Sequence, residues 1–265
     1  MSEVVGGPFG TFLVRSGRTE QSWVYPNDPL MLEFEYVQRI AEALEACVIP
    51  RGGPVRVVHV GGGGLSLPRY IAARRPGTAQ VVLEPDADLV EQVRARIPLP
   101  PRSGIRIRIV DGLAGIAEMP DDYADCIILD AFAGASVPPE LVTQTYFADL
   151  ARVLRPEGLF VANLTDRGPF EWSRRVMSGV VQQWPHVAMS AETPVWRGRR
   201  FGNLVALASP DSLPTLDLER ALLKAAFPHR LASGKELTAW VGKADPFTVA
   251  DAIPSPDPFA RGWFT

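Results

Sequence analysis

Val55-Arg-Val-Val-His-Val60, followed by Gly61-Gly-Gly-Gly64, is the stretch that decides the fold of this 265-residue chain. It reads as a β-branched strand running into a glycine turn, with a helix predicted over 66–75. Further on, Gln80-Val-Val-Leu-Glu84 is a second strand ending in an acid. Strand, glycine turn, helix and strand-end acid, with the acid about 20 residues after the turn, is how a doubly wound α/β domain holds an adenosine-containing ligand. Glycines let the backbone approach the ligand, and the acid takes the ribose hydroxyls. The spacing does not fit the pyridine-nucleotide fingerprint. With Gly61 and Gly63 as its first two glycines, Ser66 stands at the third. Pro68 falls in the first helical turn, where its missing N–H costs nothing.

Outward from this stretch, strands and helices alternate. Strands are predicted at 55–60, 80–83, 105–110, 125–129, 158–163 and 203–208, and helices at 66–75, 86–97, 139–154 and 170–184. Such alternation implies a Rossmann-like α/β fold with a mainly parallel central sheet and helices on both faces. Cys126-Ile-Ile-Leu129 is apolar throughout, as a central strand should be. Residues 1–26 read as a small β element: Thr11–Arg15 and Gln21–Tyr25 are β-prone, and Ser16-Gly17-Arg18 supplies the turn. Asp28 and Pro29 are expected to open a helix with Leu30, Phe34, Val37, Ile40, Ala41 and Leu44 on one face. Segment 216–226 reads as an amphipathic helix, and Ser233 with Glu236 as a capping box. The division is thus 1–26, a cofactor-binding domain over 27–244, and a proline-rich tail over 245–265. With Trp263 and Phe264 near its end, that tail reads as an irregular strap or as partly disordered.

Composition narrows the function. A net charge of −3 carries no nucleic-acid footprint, which would be basic and clustered, and Arg197-Gly-Arg-Arg200 reads as a solvated loop. Cys47 and Cys126 read as small buried hydrophobes in a reducing compartment. With no signal peptide and no long apolar run, a soluble cytoplasmic protein without membrane contact is expected. His59, His186 and His229 have no ligand spacing, so no metal site is expected.

Four strand ends carry the candidate site. Gly61, Gly62 and Gly63 form the turn, and Glu84 needs a partner that a ribose diol would supply. Asp111-Gly112 follows Ile105–Val110 at the same carboxyl edge, where Asp111 can accept from an adenine amine or cap the next helix. Asp130 ends 125–129, where an ionised acid can orient an amine and take its proton, or bond to loop amides. Ala131-Phe-Ala-Gly-Ala135 after it can line a pocket.

Together these residues resemble the class I S-adenosylmethionine-dependent fold and, more narrowly, the polyamine aminopropyltransferases, of which spermidine synthases are the best known. The resemblance covers roughly 20–165. Gln21-Ser resembles the family's cofactor-contacting glutamine, and Gly61-Gly-Gly63 its glycine loop. Glu84-Pro-Asp-Ala-Asp-Leu-Val90 resembles its acid and following helix start, and Asp111-Gly112 its adenine-side pair. Tyr123–Asp130 matches its catalytic-aspartate strand, and Tyr146-Phe147 to Gly158 also fits. The resemblance implies S-adenosylmethionine or its decarboxylated form as co-substrate, Asp130 as catalytic residue, a small-molecule amine or other small acceptor, and a homodimer. Cofactor contacts would come from Gln21, Gly61, Gly62, Gly63, Glu84, Asp111, Gly112 and Asp130.

Two family aspartates are replaced. Gly64 stands where one would bind the aminopropyl amine, and Ala133 where a second follows the catalytic one. A buried ammonium without its anion is costly, so weak putrescine turnover is expected. The N-terminal part, at most one small hairpin, is short for the family's dimer. Gly64 would also remove a charge facing the carboxylate of intact S-adenosylmethionine, which keeps a small-molecule methyltransferase as the alternative. A non-catalytic nucleoside-binding protein is the third reading.

Overall fold

The computed structural model describes residues 2–259. It opens with a three-stranded antiparallel sheet: β1 (Ser2–Gly6), β2 (Phe12–Ser16) and β3 (Thr19–Val24). The expected hairpin is present, and β1 is an added strand. It depends on distant partners, since Gln92 accepts from Val4 N at 3.1 Å and donates to Ser2 O at 3.1 Å.

Helix α1 (Glu35–Cys47) begins seven residues later than expected, because tight turns occupy the stretch before it: Asp28 N donates to Tyr25 O, and Met31 N to Asp28 O. Then come β4 (Arg56–Val60), α2 (Ser66–Arg74), β5 (Ala79–Leu83), α3 (Ala87–Arg96), β6 (Ile105–Arg108), α4 (Gly112–Ala117) and β7 (Ala124–Leu129). The helix expected over 139–154 is divided. A 3₁₀ turn at Pro139–Val142 precedes α5 (Gln144–Val153), where the Thr143 hydroxyl caps the helix by accepting from Tyr146 N at 3.2 Å.

The chain continues through β8 (Leu154–Asp166), α6 (Glu171–Gln183), β9 (His186–Glu192), α7 (Thr193–Trp196) and β10 (Gly202–Ser209). It closes with α8 (Thr215–Leu222), β11 (His229–Ser233) and α9 (Gly234–Val241). The Ser233 capping box does not form: its side chain makes no cap bond, and Glu236 pairs instead with Arg230 at 2.5 Å.

The large sheet has eight strands in the order β11-β9-β10-β8-β7-β4-β5-β6. β8, β7, β4, β5 and β6 are parallel, while β10, β9 and β11 add antiparallel. Side-chain alternation splits the core. Val58, Ile127 and Phe160 pack with Phe147 and Val176 on one face. Val57, Ile128 and Val161 pack with Ile40 and Ile71 on the other. Val14 and Val24 of the small sheet join Leu65, Val82 and Leu89 in a third cluster, which docks the hairpin on the glycine turn.

After α9 the chain crosses the molecule without regular structure. Phe247 is buried, Trp172 Nε1 donates to Ile253 O at 2.9 Å, and the Ser255 hydroxyl accepts from Val137 N at 2.8 Å. This answers to the expected irregular strap up to Phe259; Trp263 and Phe264 lie outside the described residues. Among the described residues no helix is long and apolar enough to cross a membrane.

Candidate active site

Strand register builds the site. Val60 lies beside Leu83 on one side and Leu129 on the other. The next residue on each strand therefore leaves the sheet at one level, and these are Gly61, Glu84 and Asp130. Backbone bonds fix them there: Gly61 N donates to Leu83 O and Asp130 N to Val60 O, both at 2.9 Å. All eight cofactor-contact candidates, Gln21, Gly61, Gly62, Gly63, Glu84, Asp111, Gly112 and Asp130, line one cleft of about 700 Å³ at this edge. That size suits a nucleoside-sized ligand.

Gly61 has φ +92°, and an added Cβ would run into the Asp130 carbonyl, so this position needs glycine. At Gly63 and Gly64 the close neighbour belongs to the protein itself. A Cβ on Gly63 would stand 2.6 Å from Ser22 Oγ. One on Gly64 would stand 2.5 Å from Val24 Cγ2 and 3.1 Å from Val14 Cγ2, and Gly64 N donates to Ser22 Oγ at 3.0 Å. Gly64 is thus turned into the hairpin and does not line the cleft. The charge argument for intact S-adenosylmethionine at this residue is corrected accordingly, since a side chain here would not face the ligand.

Glu84 holds the turn and the following helix start together. Its Oε2 accepts from Gly62 N at 2.9 Å and its Oε1 from Asp86 N at 3.0 Å. Asp111 caps α4 by accepting from Ala114 N at 2.8 Å while still lining the cleft. Capping fixes its carboxylate and leaves further lone pairs for a ligand donor.

Asp130 is the most perturbed acid of the cleft. Withdrawal from water pushes its carboxyl up to about 6, against the opposing effect of hydrogen bonds from Asn163 and Tyr36. Asn163 Nδ2 donates to Asp130 Oδ1 at 2.9 Å, and Asn203 Nδ2 donates to Asn163 Oδ1 at 2.9 Å. Burial and the neighbouring Asp130 raise the Tyr36 hydroxyl well above its ordinary value, so it stays a donor. Sequence reasoning missed Tyr36, Asn163 and Asn203. The signal for Asn163 was available: a buried amide inside the apolar run Leu159–Leu164 requires partners.

The lining is acidic. Glu20, Glu33, Glu35, Glu84, Asp86, Asp111, Asp130 and Glu140 face the cleft, and among the described residues no lysine or arginine does. His59 lines it too, but burial lowers its pKa to about 4, and its ring bonds to Gln80 at 2.9 Å, so it is neutral and structural. Among the described residues no cluster of three metal-ligating side chains is found.

No family model matches the chain. The polyamine aminopropyltransferase of Chromobacterium violaceum is 29% identical over 147 residues, 55% of this chain and 54% of that protein. The chain spans about half the length of the curated relatives it matches. A probable spermidine synthase from Corynebacterium glutamicum superposes with a TM-score of 0.87 at 27% identity, covering 95% of this chain and 93% of the other. Human methyltransferase-like protein 13, solved with SAH, superposes with a TM-score of 0.57 at 22% identity over 72% of this chain and 94% of its own, a likeness of fold alone. Sheet order, glycine turn and strand-end acids thus define a class I methyltransferase-like fold. Within it the chain is spermidine synthase-like.

Proposed function

We propose that the chain is a transferase that moves an aminopropyl group from decarboxylated S-adenosylmethionine to the nitrogen of a small amine. The observation that carries this reading is the cleft lining: eight carboxylates and, among the described residues, no lysine or arginine. Decarboxylated S-adenosylmethionine brings a sulfonium, an ammonium and no carboxylate, so it suits such a wall. Intact S-adenosylmethionine would set its own carboxylate against it. Glu20 is paired with Arg15 at 3.3 Å and Glu35 lies 3.9 Å from Arg39, but Glu84, Asp86, Asp111 and Asp130 are engaged by backbone amides and neutral side chains.

The residues fit the co-substrate. Asp111 and Gly112 would take the adenine, Glu84 the ribose, and the Gly61–Gly63 turn with Gln21 the sulfonium end. Asp130 would orient the acceptor. An incoming ammonium gives one proton to Asp130, and the freed lone pair forms a C–N bond at the methylene beside the sulfonium. The C–S bond breaks with its electron pair going to sulfur. Methylthioadenosine and a secondary ammonium result, and Asp130 returns its proton to water. A carboxyl with a pKa of about 6 is mostly ionised at neutral pH and suits this role. Holding both reactants in line supplies much of the remaining rate. A reducing cytoplasm is the compartment this reading assumes, consistent with Cys47 and Cys126 as free thiols.

Mass analysis of the acceptor after incubation with each donor tests the reaction type. A gain of an aminopropyl group from the decarboxylated donor supports it. A gain of a methyl group from intact S-adenosylmethionine, with no aminopropyl product, contradicts it.

A further inference from the structure

The irregular strap after α9 brings residues to the cleft that the reaction above leaves unused. Ser255 is 2% exposed and holds two elements of the cleft together. Its N–H donates to Val137 O at 3.2 Å, and its hydroxyl accepts from Val137 N at 2.8 Å. The same hydroxyl bonds to Thr165 Oγ1 at 3.1 Å, and Thr165 lines the cleft. Ser255 therefore fixes the strap between the end of β8 and the loop that follows Asp130.

Beyond this anchor the strap is a short, stiff arm. Pro256 and Pro258 each fix a backbone angle, and four residues reach about 13 Å at most. Asp257 Oδ1 accepts from Phe259 N at 2.8 Å and turns the arm at its end. Pro258 and Phe259 line the cleft, as do Ser16 and Thr19 on either side of the hairpin turn. In that turn the Arg18 guanidinium carbon lies 5.1 Å from the centre of the Phe259 ring. Among the described residues, this is the one hydrogen bond or ring contact that ties residues 256–259 to another part of the chain.

One end of the strap is thus buried and hydrogen-bonded, while the other is exposed and held by a single ring contact. A cation over an exposed ring is a weak attraction, enough to bias a stiff arm and slight enough to release it. The arm runs from β8 to the hairpin, and the hairpin is docked on the glycine turn, where the reading above places the donor nucleoside. Resting on that reading, we infer that the end of the strap is a working part of the site. Phe259 closes the cleft over the bound nucleoside, and Arg18 is the positioning residue that holds it there. Closure keeps water from the carbon beside the sulfonium, and release of methylthioadenosine requires the Arg18–Phe259 contact to part.

Surface plasmon resonance of methylthioadenosine on the immobilised protein tests this without an acceptor. Phe259→Ala and Arg18→Ala are each expected to speed its dissociation by about threefold or more, since lost contacts act mainly on the off-rate. The double variant should match the faster single variant, because both changes break the same contact. Phe259→Tyr keeps a ring under Arg18 and should dissociate at the wild-type rate. Both side chains are exposed, so the melting midpoints should stay at the wild-type value. Wild-type dissociation in both alanine variants overturns the closing role and leaves aminopropyl transfer standing. Effects that multiply in the double variant overturn the part given to Arg18. A wild-type protein that does not bind methylthioadenosine overturns both readings.

Discussion

Asn163 Nδ2 lies 2.9 Å from Asp130 Oδ1 because the register of β7 on β8 sets Leu129 beside Ala162, and so brings the next residue of each strand together. The amide is held from behind by Asn203 and can donate to Asp130 in one orientation. A carboxylate at the sheet edge is thereby fixed toward the cleft and kept partly ionisable in a site that disfavours charge.

Asp130→Asn should leave affinity for the adenosyl ligand within a few-fold and cut turnover by roughly 10²–10⁴, the usual contribution of a general base. In the wild type, activity should rise with pH through about 6, as the carboxyl ionises, and then level. That step should vanish in the variant. The raised pKa also has a stability consequence for the free protein. Asp130 contributes stability that is fully present below its ordinary value of 3.8 and lost as pH rises through about 6. Denaturation of wild type and variant across pH 4–7 checks the sign.

Asn163→Ala removes a hydrogen bond that lowers the Asp130 pKa, so the acidic limb of the pH–rate profile should move to higher pH. A profile unmoved in a folded variant would show that the amide does not set the charge of Asp130.

Glu84→Ala should weaken methylthioadenosine binding by about 1–3 kcal/mol, the scale of a lost charged acceptor. Because Glu84 also accepts from Gly62 N and Asp86 N, the thermal midpoint should fall too. Calorimetry beside a melting curve separates the two effects, and unchanged affinity in a folded variant would rule out the ribose role.

Gly64→Asp and Ala133→Asp should behave oppositely, although both place an acid where the family resemblance expects one. At position 64 the side chain would meet Val14, Ser22 and Val24, an overpacking that typically costs about 1–3 kcal/mol, with a buried charge in addition. At position 133 the new side chain would enter the cleft. Unfolding should register the first change, and increased putrescine turnover the second.

How much was legible follows from what each residue depends on. β4, the glycine turn and Glu84 are local in sequence and carry their own signals, so sheet, fold and the strand-end positions could be read. Tyr36 and Asn203 could not, because their relation to Asp130 exists only after α1 and β10 pack beside β8. β1 has no strong strand signal and is formed through Gln92 and its pairing with β2. His186–Glu192 contains alanine and methionine, weak strand formers, and becomes a strand between β10 and β11. The glycines at 63 and 64 were legible as a close approach, but the sequence did not say that the neighbour was the hairpin.

The most direct test of the acid-lined cleft is calorimetric titration of the purified protein with decarboxylated and with intact S-adenosylmethionine at pH 7.5. The account predicts tighter binding of the decarboxylated form by about tenfold or more, which is about 1.4 kcal/mol. Equal affinity, or preference for the intact form, would contradict it.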